Sequence, residues 1–388
     1  VEDHRRQVLA ALGEDLAAVI LDGAAAGRGR DPAALRELTE QAPFLTAGQA
    51  AEAGLIDGEL PFDAVLDRLA EAVGAAADDL PQIDLADWIE VCGRDEPRPR
   101  PGRSVVAVAY AEGEIVDGES DSEVGGATLA RELRRLRNDP DVAAVVLRVN
   151  SPGGSAAASE RIRREIELLR EVKPVVVSMG DLAASGGYWI SCTADRIFAR
   201  PGTITGSIGV FGVFPNVAGL ADKAGVSPQV VRIGEHADAD SPWRRKSEAE
   251  LGAIQAEVDA VYEAFLDRVA AGRGLDREVV HEIGQGRVWS GRAALELGLV
   301  DDLGGLDAAI AAAAEAAGLD RDYAVRWPAG QGGLFERLLA ELEQEEQPLA
   351  GSEAVVIRRL AGGAAAAARL AAAGRVQARP PFRIDARF

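Results

Sequence analysis

The 388-residue chain is 47% hydrophobic and carries 63 acidic against 42 basic residues, for a formal net charge of −21. This length and composition are typical of a globular protein with two or more domains and exclude an intrinsically disordered chain. The acidic balance argues against a nucleic-acid partner, and the sequence contains no run of eighteen apolar residues that would predict a membrane-spanning helix.

The start of the chain resembles a later part of the same chain. Ala26–Asp31 recurs as Ala271–Asp276, and Gly54–Asp57 recurs as Gly298–Asp301, 244 or 245 residues further on. Such self-similarity predicts an internal duplication. We therefore expect residues 1–80 to be the helical C-terminal part of a first repeat whose front part is absent from this sequence.

A charged, proline-rich stretch follows and predicts an exposed linker at residues 81–103. Beyond it, apolar β-branched runs alternate with amphipathic stretches, which is typical of βαβ units with a mostly parallel sheet. We expect a complete repeat at residues 104–320. The predicted strands are Ser104–Tyr110, Ala143–Val149, Pro174–Met179 and Arg196–Ala199.

Amphipathic helices are predicted between and after these strands. One carries Leu129, Leu133 and Leu136 on one face, the next carries Ile162, Ile166 and Leu169, and a short one starts near Ala184. A longer helix is predicted from Glu248 to Ala271. Its core-facing side is expected to consist of Leu251, Ile254, Val258, Val261 and Phe265. Residues 321–388 are expected to form a helical extension, with helices at Leu334–Leu349 and Ala364–Ala373.

Two predicted strands end in glycine turns that carry serines. Ala143–Val149 leads to Gly153-Gly154, and Pro174–Met179 leads to Ser185-Gly186-Gly187. If these strands are neighbours in a parallel sheet, both turns lie at its carboxyl edge, where open α/β sheets place their sites. The N–H groups of Gly154 and Gly186 would then converge on one oxygen beside the Ser185 hydroxyl, as acyl transfer requires. The residues alone leave open that Ser185 is only a helix N-cap.

Together with Thr205–Val210, these motifs resemble the signal peptide peptidase A family of serine–lysine peptidases. The resemblance is close over residues 104–318, and residues 1–75 resemble the end of a preceding repeat. It implies an α/β, crotonase/Clp-protease-like fold in tandem duplication, with the first copy truncated here. Members of this family are membrane-anchored, face the outside of the bacterial inner membrane, degrade residual signal peptides and form tetramers. We therefore expect an apolar groove that binds peptide substrates with a small P1 side chain. We also expect the protein to associate with a membrane surface and to form a homo-oligomer.

The resemblance also assigns roles to individual residues. Ser185 matches the nucleophile, Gly154 and Gly186 match the oxyanion-hole donors, and Ser207 matches the serine that hydrogen-bonds the catalytic lysine. Replacing Gly154 with valine is expected to lower acylation rather than to affect folding.

The general base is where the sequence departs from the family. Ala237 occupies the position of the lysine in single-copy members. In duplicated members the lysine comes from the first repeat, and its equivalent position falls just upstream of Val1. We therefore expect this chain alone to be inactive. Lys246 and His236 are the rival bases within the chain, although His236 is expected to face solvent from a loop.

Two other functions remain open at this point. The same fold serves acyl-CoA hydratases and isomerases, whose paired N–H donors bind a thioester enolate, and a non-catalytic assembly module is the third reading. We expect no cofactor and no metal site, because three scattered histidines and two distant cysteines offer no ligand spacing. Cys92 and Cys192 are expected to be packed thiols rather than a disulfide.

Overall fold

The computed structural model describes residues 2–42, 44–85, 88, 104–226, 229–230, 234, 236–320, 323–328 and 377–378. These residues belong to two compact units, one within residues 1–101 and the other within residues 102–388. The predicted helices at Leu334–Leu349 and Ala364–Ala373 lie outside the described residues, as do Cys92 and most of the predicted linker.

The described part of the first unit is helical. Two of its helices begin at polar caps: the Asp31 side chain accepts a hydrogen bond from the N–H of Ala33, and Thr46 and Gln49 form a reciprocal capping box. The helices are α1 (Glu2–Arg28), α2 (Pro32–Gln41), α3 (Ala47–Glu52) and α4 (Phe62–Val73).

Helix α4 presents an apolar stripe to solvent. Phe62, Val65, Leu69 and Val73 follow helical spacing, and all four are exposed, with Leu69 at 50%. Only Ala70 of this helix is buried. The stripe therefore has the composition of a core face without a core against it in the described residues.

The second unit alternates strands and helices, as its sequence pattern predicts. The strands are β1 (Val105–Glu112), β2 (Ile115–Val116), β3 (Val124–Gly125), β4 (Val142–Ser151), β5 (Gly154–Ser155), β6 (Val175–Ala184), β7 (Arg196–Ala199), β8 (Ile204–Gly206), β9 (Val288–Ser290), β10 (Asp302–Leu303), β11 (Ala324–Arg326) and β12 (Gln377–Ala378). The helices are α5 (Gly126–Asn138), α6 (Ala156–Arg170), α7 (Gly186–Ser191), α8 (Ala218–Lys223), α9 (Glu248–Arg273), α10 (Arg277–Ile283), α11 (Gly291–Glu296) and α12 (Leu306–Ala316).

The central sheet has the order β10-β7-β6-β4-β1-β11, and all of these neighbours pair in parallel. Strand β8 also pairs in parallel with the carboxyl end of β6, and β9 pairs antiparallel with β8. A smaller sheet has the order β12-β5-β2-β3. The parallel arrangement confirms the predicted α/β class, and β4 and β6 are neighbours, which is the condition on which the convergence of the two glycine turns depended.

Both faces of the central sheet are covered, as parallel sheets require. Alternate residues of β1, β4 and β6 pack against α5, α6, α7 and α9 on one face, with Leu133, Ile162 and Phe265 fully buried. On the other face, Val106, Val146 and neighbouring residues pack against the alanine-rich helix α12.

Two predicted element boundaries and one predicted core face are wrong in detail. The strand predicted to end at Met179 continues to Ala184, because Asn150 accepts the N–H of Leu182 and β8 pairs alongside. The helix expected near Ala184 begins at Gly186. The predicted core face of α9 is buried only in its second half, since Leu251 is 52% exposed.

Candidate active site

Ser185 lies in a sharp turn between β6 and α7. Its backbone has φ 55° and ψ −116°, a conformation that non-glycine residues rarely adopt and that costs about 1–3 kcal/mol. Its N–H donates to the carbonyl of Gly206 at 2.8 Å, which ties the turn to β8. Strain of this kind persists only where the surrounding structure holds it, and it is typical of functional turns.

The Ser185 side chain does not cap the helix that follows it. Ser155, Ser247 and Ser290 each accept a backbone N–H at the start of their helices, but Ser185 makes no such bond. Its hydroxyl oxygen is buried and has no hydrogen-bond partner among the described residues. The interpretation of Ser185 as an ordinary N-cap is therefore wrong.

Gly154 and Gly186 come together across the two turns, as predicted. Ser151 at the end of β4 pairs with Ala183 of β6, so both turns leave the sheet at the same edge. A Cβ atom added to Gly186 would lie 3.0 Å from the backbone nitrogen of Gly154. The two glycines are therefore neighbours beside Ser185, and the assignment of their N–H groups as oxyanion donors stays a prediction.

Gly154 is also required by its own surroundings. It has φ 154°, and a Cβ atom there would lie 2.0 Å from the carbonyl oxygen of Ile115 in the adjacent strand β2. A valine would displace this backbone. The expectation that Gly154→Val affects acylation but not folding is therefore wrong, because the site and the strand pairing share the same glycine.

Ser207 follows β8 directly and is buried. Its φ is 50°, and its N–H donates to the carbonyl of Arg287 at 2.7 Å. Because Ala184 pairs with Gly206, Ser185 and Ser207 are the next residues along two paired strands. Two strained serines therefore lie side by side at the carboxyl edge of the sheet.

A cavity of about 380 Å³ adjoins Ser207. Its walls include apolar side chains from the loop after β8 and from α9, namely Val210, Phe211 and Val258. Asp259 and Tyr262 add polar groups. Such a mostly apolar space with a few polar groups fits an aliphatic or peptide side chain.

The positions considered for the general base do not provide one at Ser185. Ala237 lies exposed in a turn. His236 is an exposed loop residue, as the sequence predicts, and its Nδ1 atom is 3.8 Å from Glu250. Lys246 donates to the carbonyls of Ala239 and Ser241, and its ammonium lies 5.6 Å above the ring of Phe214. None of these contacts is with Ser185.

Lys173 is excluded by position. It precedes β6, whereas Ser185 follows that strand, so the ten-residue strand separates the two residues by roughly 30 Å. Its ammonium donates to the carbonyl of Leu136 at 2.7 Å, and burial lowers its pKa. A lowered lysine pKa alone is thus no sign of catalysis here.

Two interactions near the site have no strong signal in the sequence. The Nδ1 atom of His281 lies 3.1 Å from the hydroxyl of Tyr262 in the cavity wall. Trp189 of α7 donates its indole N–H to Glu160 of α6 at 2.9 Å. The partners are 19 and 29 positions apart in the two pairs, so no local pattern predicts them.

Cys192, next to the C-terminal end of α7, is a core residue. It is fully buried and free, which confirms the prediction of a packed thiol, and burial raises its pKa to about 12. The thiol stays protonated at neutral pH.

Among the described helices, none combines the length and the apolar composition needed to cross a bilayer.

Part of the chain matches a known protein family. The profile of peptidase family S49 matches residues 167–320. Protease 4 of Haemophilus influenzae is 47% identical over 223 residues, which is 57% of this chain and 36% of that protein. The chloroplastic serine protease SPPA of Arabidopsis thaliana is 33% identical over 329 residues, 82% of this chain and 48% of that protein.

A putative signal peptide peptidase SppA of Enterococcus faecium is 40% identical over 174 residues, 45% of this chain and 51% of that protein. Among solved structures, a ClpP1 mutant from Listeria monocytogenes matches with 18% identity and a TM-score of 0.35, covering 52% of this chain and 94% of that one. The sheet and the turns define an α/β protein with a mostly parallel central sheet. Residues 167–320 carry a peptidase family S49 domain, and the relatives named here support membership of the signal peptide peptidase A family. It spans about a third to a half of the length of the curated relatives named here.

Proposed function

We propose that this chain carries the nucleophile half of a serine endopeptidase. The observation that supports this best is the buried, unpartnered hydroxyl of Ser185 in a strained turn against Gly154 and Gly186. The Ser185 oxygen attacks the scissile carbonyl carbon, and its proton passes to a general base. Gly154 and Gly186 N–H groups bind the resulting oxyanion. As the intermediate collapses, the C–N bond breaks and the base gives its proton to the leaving amine. Water then attacks the acyl-enzyme, the base accepts a proton from that water, and Ser185 takes the proton back as the acid product leaves.

The base in this proposal is a lysine from a first repeat that precedes this sequence. A lysine acts as a base only when burial or neighbouring groups lower its pKa enough to leave it neutral. Ser207 then holds the neutral amine beside Ser185. The cavity next to Ser207 supports this arrangement, because apolar walls suit the aliphatic stem of a lysine.

The duplication on which the base depends is supported by matching contacts in the two units. In the second unit, Arg273 Nε donates to the carbonyl of Gly298 at 3.1 Å and the guanidinium pairs with Asp301. In the first unit, Arg28 Nε donates to the carbonyl of Gly54 at 2.9 Å and the guanidinium pairs with Asp57. Helix caps match too, since Asp31 and Asp276 cap equivalent helices.

The exposed stripe of helix α4 is evidence that the complete first repeat contains a sheet. By the repeat offset, α4 corresponds to α12, and Phe62, Val65 and Leu69 correspond to Leu306, Ala309 and Ala313. In the second unit, α12 packs on the central sheet. The exposed stripe of α4 has the residues needed to cover a sheet of the same kind.

Residual signal peptides are the proposed substrates, bound as extended strands. Strand β5, which contains Gly154, pairs antiparallel with Gln377–Ala378, so an extended segment fits beside it in this orientation, and a substrate bound there would take the place of these two residues. Small or apolar P1 side chains, a membrane surface at the extracytoplasmic face of the bacterial inner membrane, and a homotetramer complete the proposal. Each of these follows from the family and not from the described residues.

The test compares this 388-residue chain with a version extended upstream through the first repeat. Both are treated with a fluorophosphonate probe, and the modified residue is identified by mass spectrometry. We expect the extended protein to label at Ser185 several orders of magnitude faster, because loss of the base removes most of the rate in such a unit. Replacing its upstream lysine with alanine abolishes the difference.

Equal labelling of the short chain would show that a base within it is active, and His236→Ala and Lys246→Ala would identify it. Absence of labelling in both proteins, together with binding or hydration of an acyl-CoA, would replace the peptidase by the hydratase function.

A further inference from the structure

Helix α7 carries Gly186 and begins directly after Ser185, so its position sets both groups of the proposed site. It has only six residues, and an isolated helix of that length is not stable in water. The strained backbone of Ser185, directly before the helix, also disfavours this conformation. Contacts with other elements must therefore hold it in place.

Two side chains of α7 anchor it. The Tyr188 hydroxyl donates to the carbonyl of Leu299 at 2.8 Å. The Trp189 ring packs on Phe265 of α9 with ring centroids 4.4 Å apart, and its indole N–H donates to Glu160 at 2.9 Å. The hydrogen bond of Trp189 joins α7 to α6, the helix that follows Gly154.

Glu160 is itself held rigidly. Both of its oxygens accept from Arg163, at 2.7 and 2.8 Å, and one also accepts from Arg268 of α9 at 3.1 Å. Burial alone would raise the pKa of Glu160, but the hydrogen bonds from Arg163 and Trp189 lower it. The carboxylate therefore stays ionised at neutral pH and connects α6, α7 and α9.

The residue before Glu160 brings this network next to the proposed oxyanion hole. Ser159 Oγ donates to the carbonyl of Ser155, and it lies 2.7 Å from where a Cβ atom of Gly186 would be. One turn of α6 thus contacts Gly186 on one side and, through Glu160, holds Trp189 on the other. A shift of this turn relative to α7 would move Gly186 relative to Gly154.

We infer that Glu160 is a positioning residue, which through the indole N–H of Trp189 holds α7 so that Ser185 and Gly186 keep their reactive geometry. This inference rests on the proposed peptidase function. It concerns how the nucleophile and one oxyanion donor are held, and it is independent of which residue supplies the base.

Trp189→Phe is the main test, because it keeps an aromatic ring against Phe265 and removes the N–H donor together with some ring volume. Glu160→Gln and Glu160→Ala test the same hydrogen bond from the acceptor side without changing α7. In the protein extended through the first repeat, we expect kcat for a peptide substrate to fall about tenfold to hundredfold with KM unchanged, as a hydrogen bond to a charged group is worth about that factor. Glu160→Gln keeps an acceptor and is expected to restore most of the rate relative to Glu160→Ala.

Glu167→Ala is the matched control. Glu167 lies on the same helix and pairs with Arg163 and Arg164, but its ion pairs do not include α7. We expect it to leave kcat unchanged. The double variant Glu160→Ala/Trp189→Phe should be no slower than the slower single variant, because both changes break the same bond.

Hydrogen exchange of the amides in residues 180–192 provides a readout that needs no activity and works in the 388-residue chain. Faster exchange in Trp189→Phe, with the melting temperature within a few degrees of the unsubstituted chain, supports the inference. Unchanged exchange overturns it, as does a kcat equal to that of the Glu167→Ala control. If the peptidase function itself is wrong, the unsubstituted extended protein neither labels at Ser185 nor cleaves peptide, while the exchange result still decides whether Glu160 holds α7.

Discussion

Residues 26–57 of the first unit and the matching residues 271–301 of the second unit have similar sequences and the same local contacts, but different surroundings. Arg28 and Arg273 make equivalent hydrogen bonds to a glycine carbonyl and an aspartate. The Arg28 side chain is 31% exposed, whereas that of Arg273 is 6% exposed. The difference teaches that a short segment encodes its own caps and ion pairs, while the energetic weight of those contacts depends on what covers them.

The largest expected difference between the two units comes from removing these arginines. Arg273→Ala leaves the partly buried Asp301 without its counter-charge, and we expect the free energy of unfolding to fall by about 2–4 kcal/mol. Urea unfolding followed by tryptophan fluorescence measures this. Arg28→Ala is the matched control and is expected to leave the midpoint unchanged, because water screens an exposed pair. Equal losses in the two variants would contradict the comparison.

Glycines at equivalent helix positions give a smaller effect of opposite sign. A Cβ atom on Gly272 would lie 2.3 Å from the carbonyl oxygen of Cys192, whereas a Cβ atom on Gly27 meets nothing within 4 Å. We expect Gly272→Ala to destabilise the chain by about 1–3 kcal/mol through overpacking. Gly27→Ala should stabilise α1 by up to about 1 kcal/mol, because alanine is the better helix former. Thermal unfolding of both variants checks the signs, and destabilisation by Gly27→Ala would show that α1 is covered.

Within this 388-residue chain, the smallest effect is expected on the exposed stripe of α4. Leu69→Ala in this chain should change the free energy of unfolding by less than about 0.5 kcal/mol, because Leu69 is half exposed. In the protein extended through the first repeat, the same substitution should cost about 2–5 kcal/mol if a sheet covers the stripe. Denaturant unfolding of the two pairs measures the contrast. A large loss already in the short chain would mean that α4 is packed there.

Much of the fold could be predicted because its signals are local. The apolar runs of β4 and β7 and the spacing of Leu129 and Leu133 on α5 depend on residues within a few positions of each other. The glycine turns at the ends of β4 and β6 were also predicted, and with them the neighbourhood of Gly154 and Gly186. The end of β6 was not, because Gly180 normally interrupts a strand. Here Thr203 donates to its carbonyl and β8 continues the pairing.

The sequence by itself determined the α/β class, the repeated segments and the serine and glycine motifs, since helix periodicity, strand periodicity and turn chemistry are properties of short stretches. Only the tertiary structure decided that the Ser185 hydroxyl is buried without capping α7, that Leu251 is exposed and that Glu160 holds Trp189. These features depend on residues brought together from distant parts of the chain. Burial and side-chain hydrogen bonds between helices follow from how the elements pack on the sheet, and no local pattern encodes that packing.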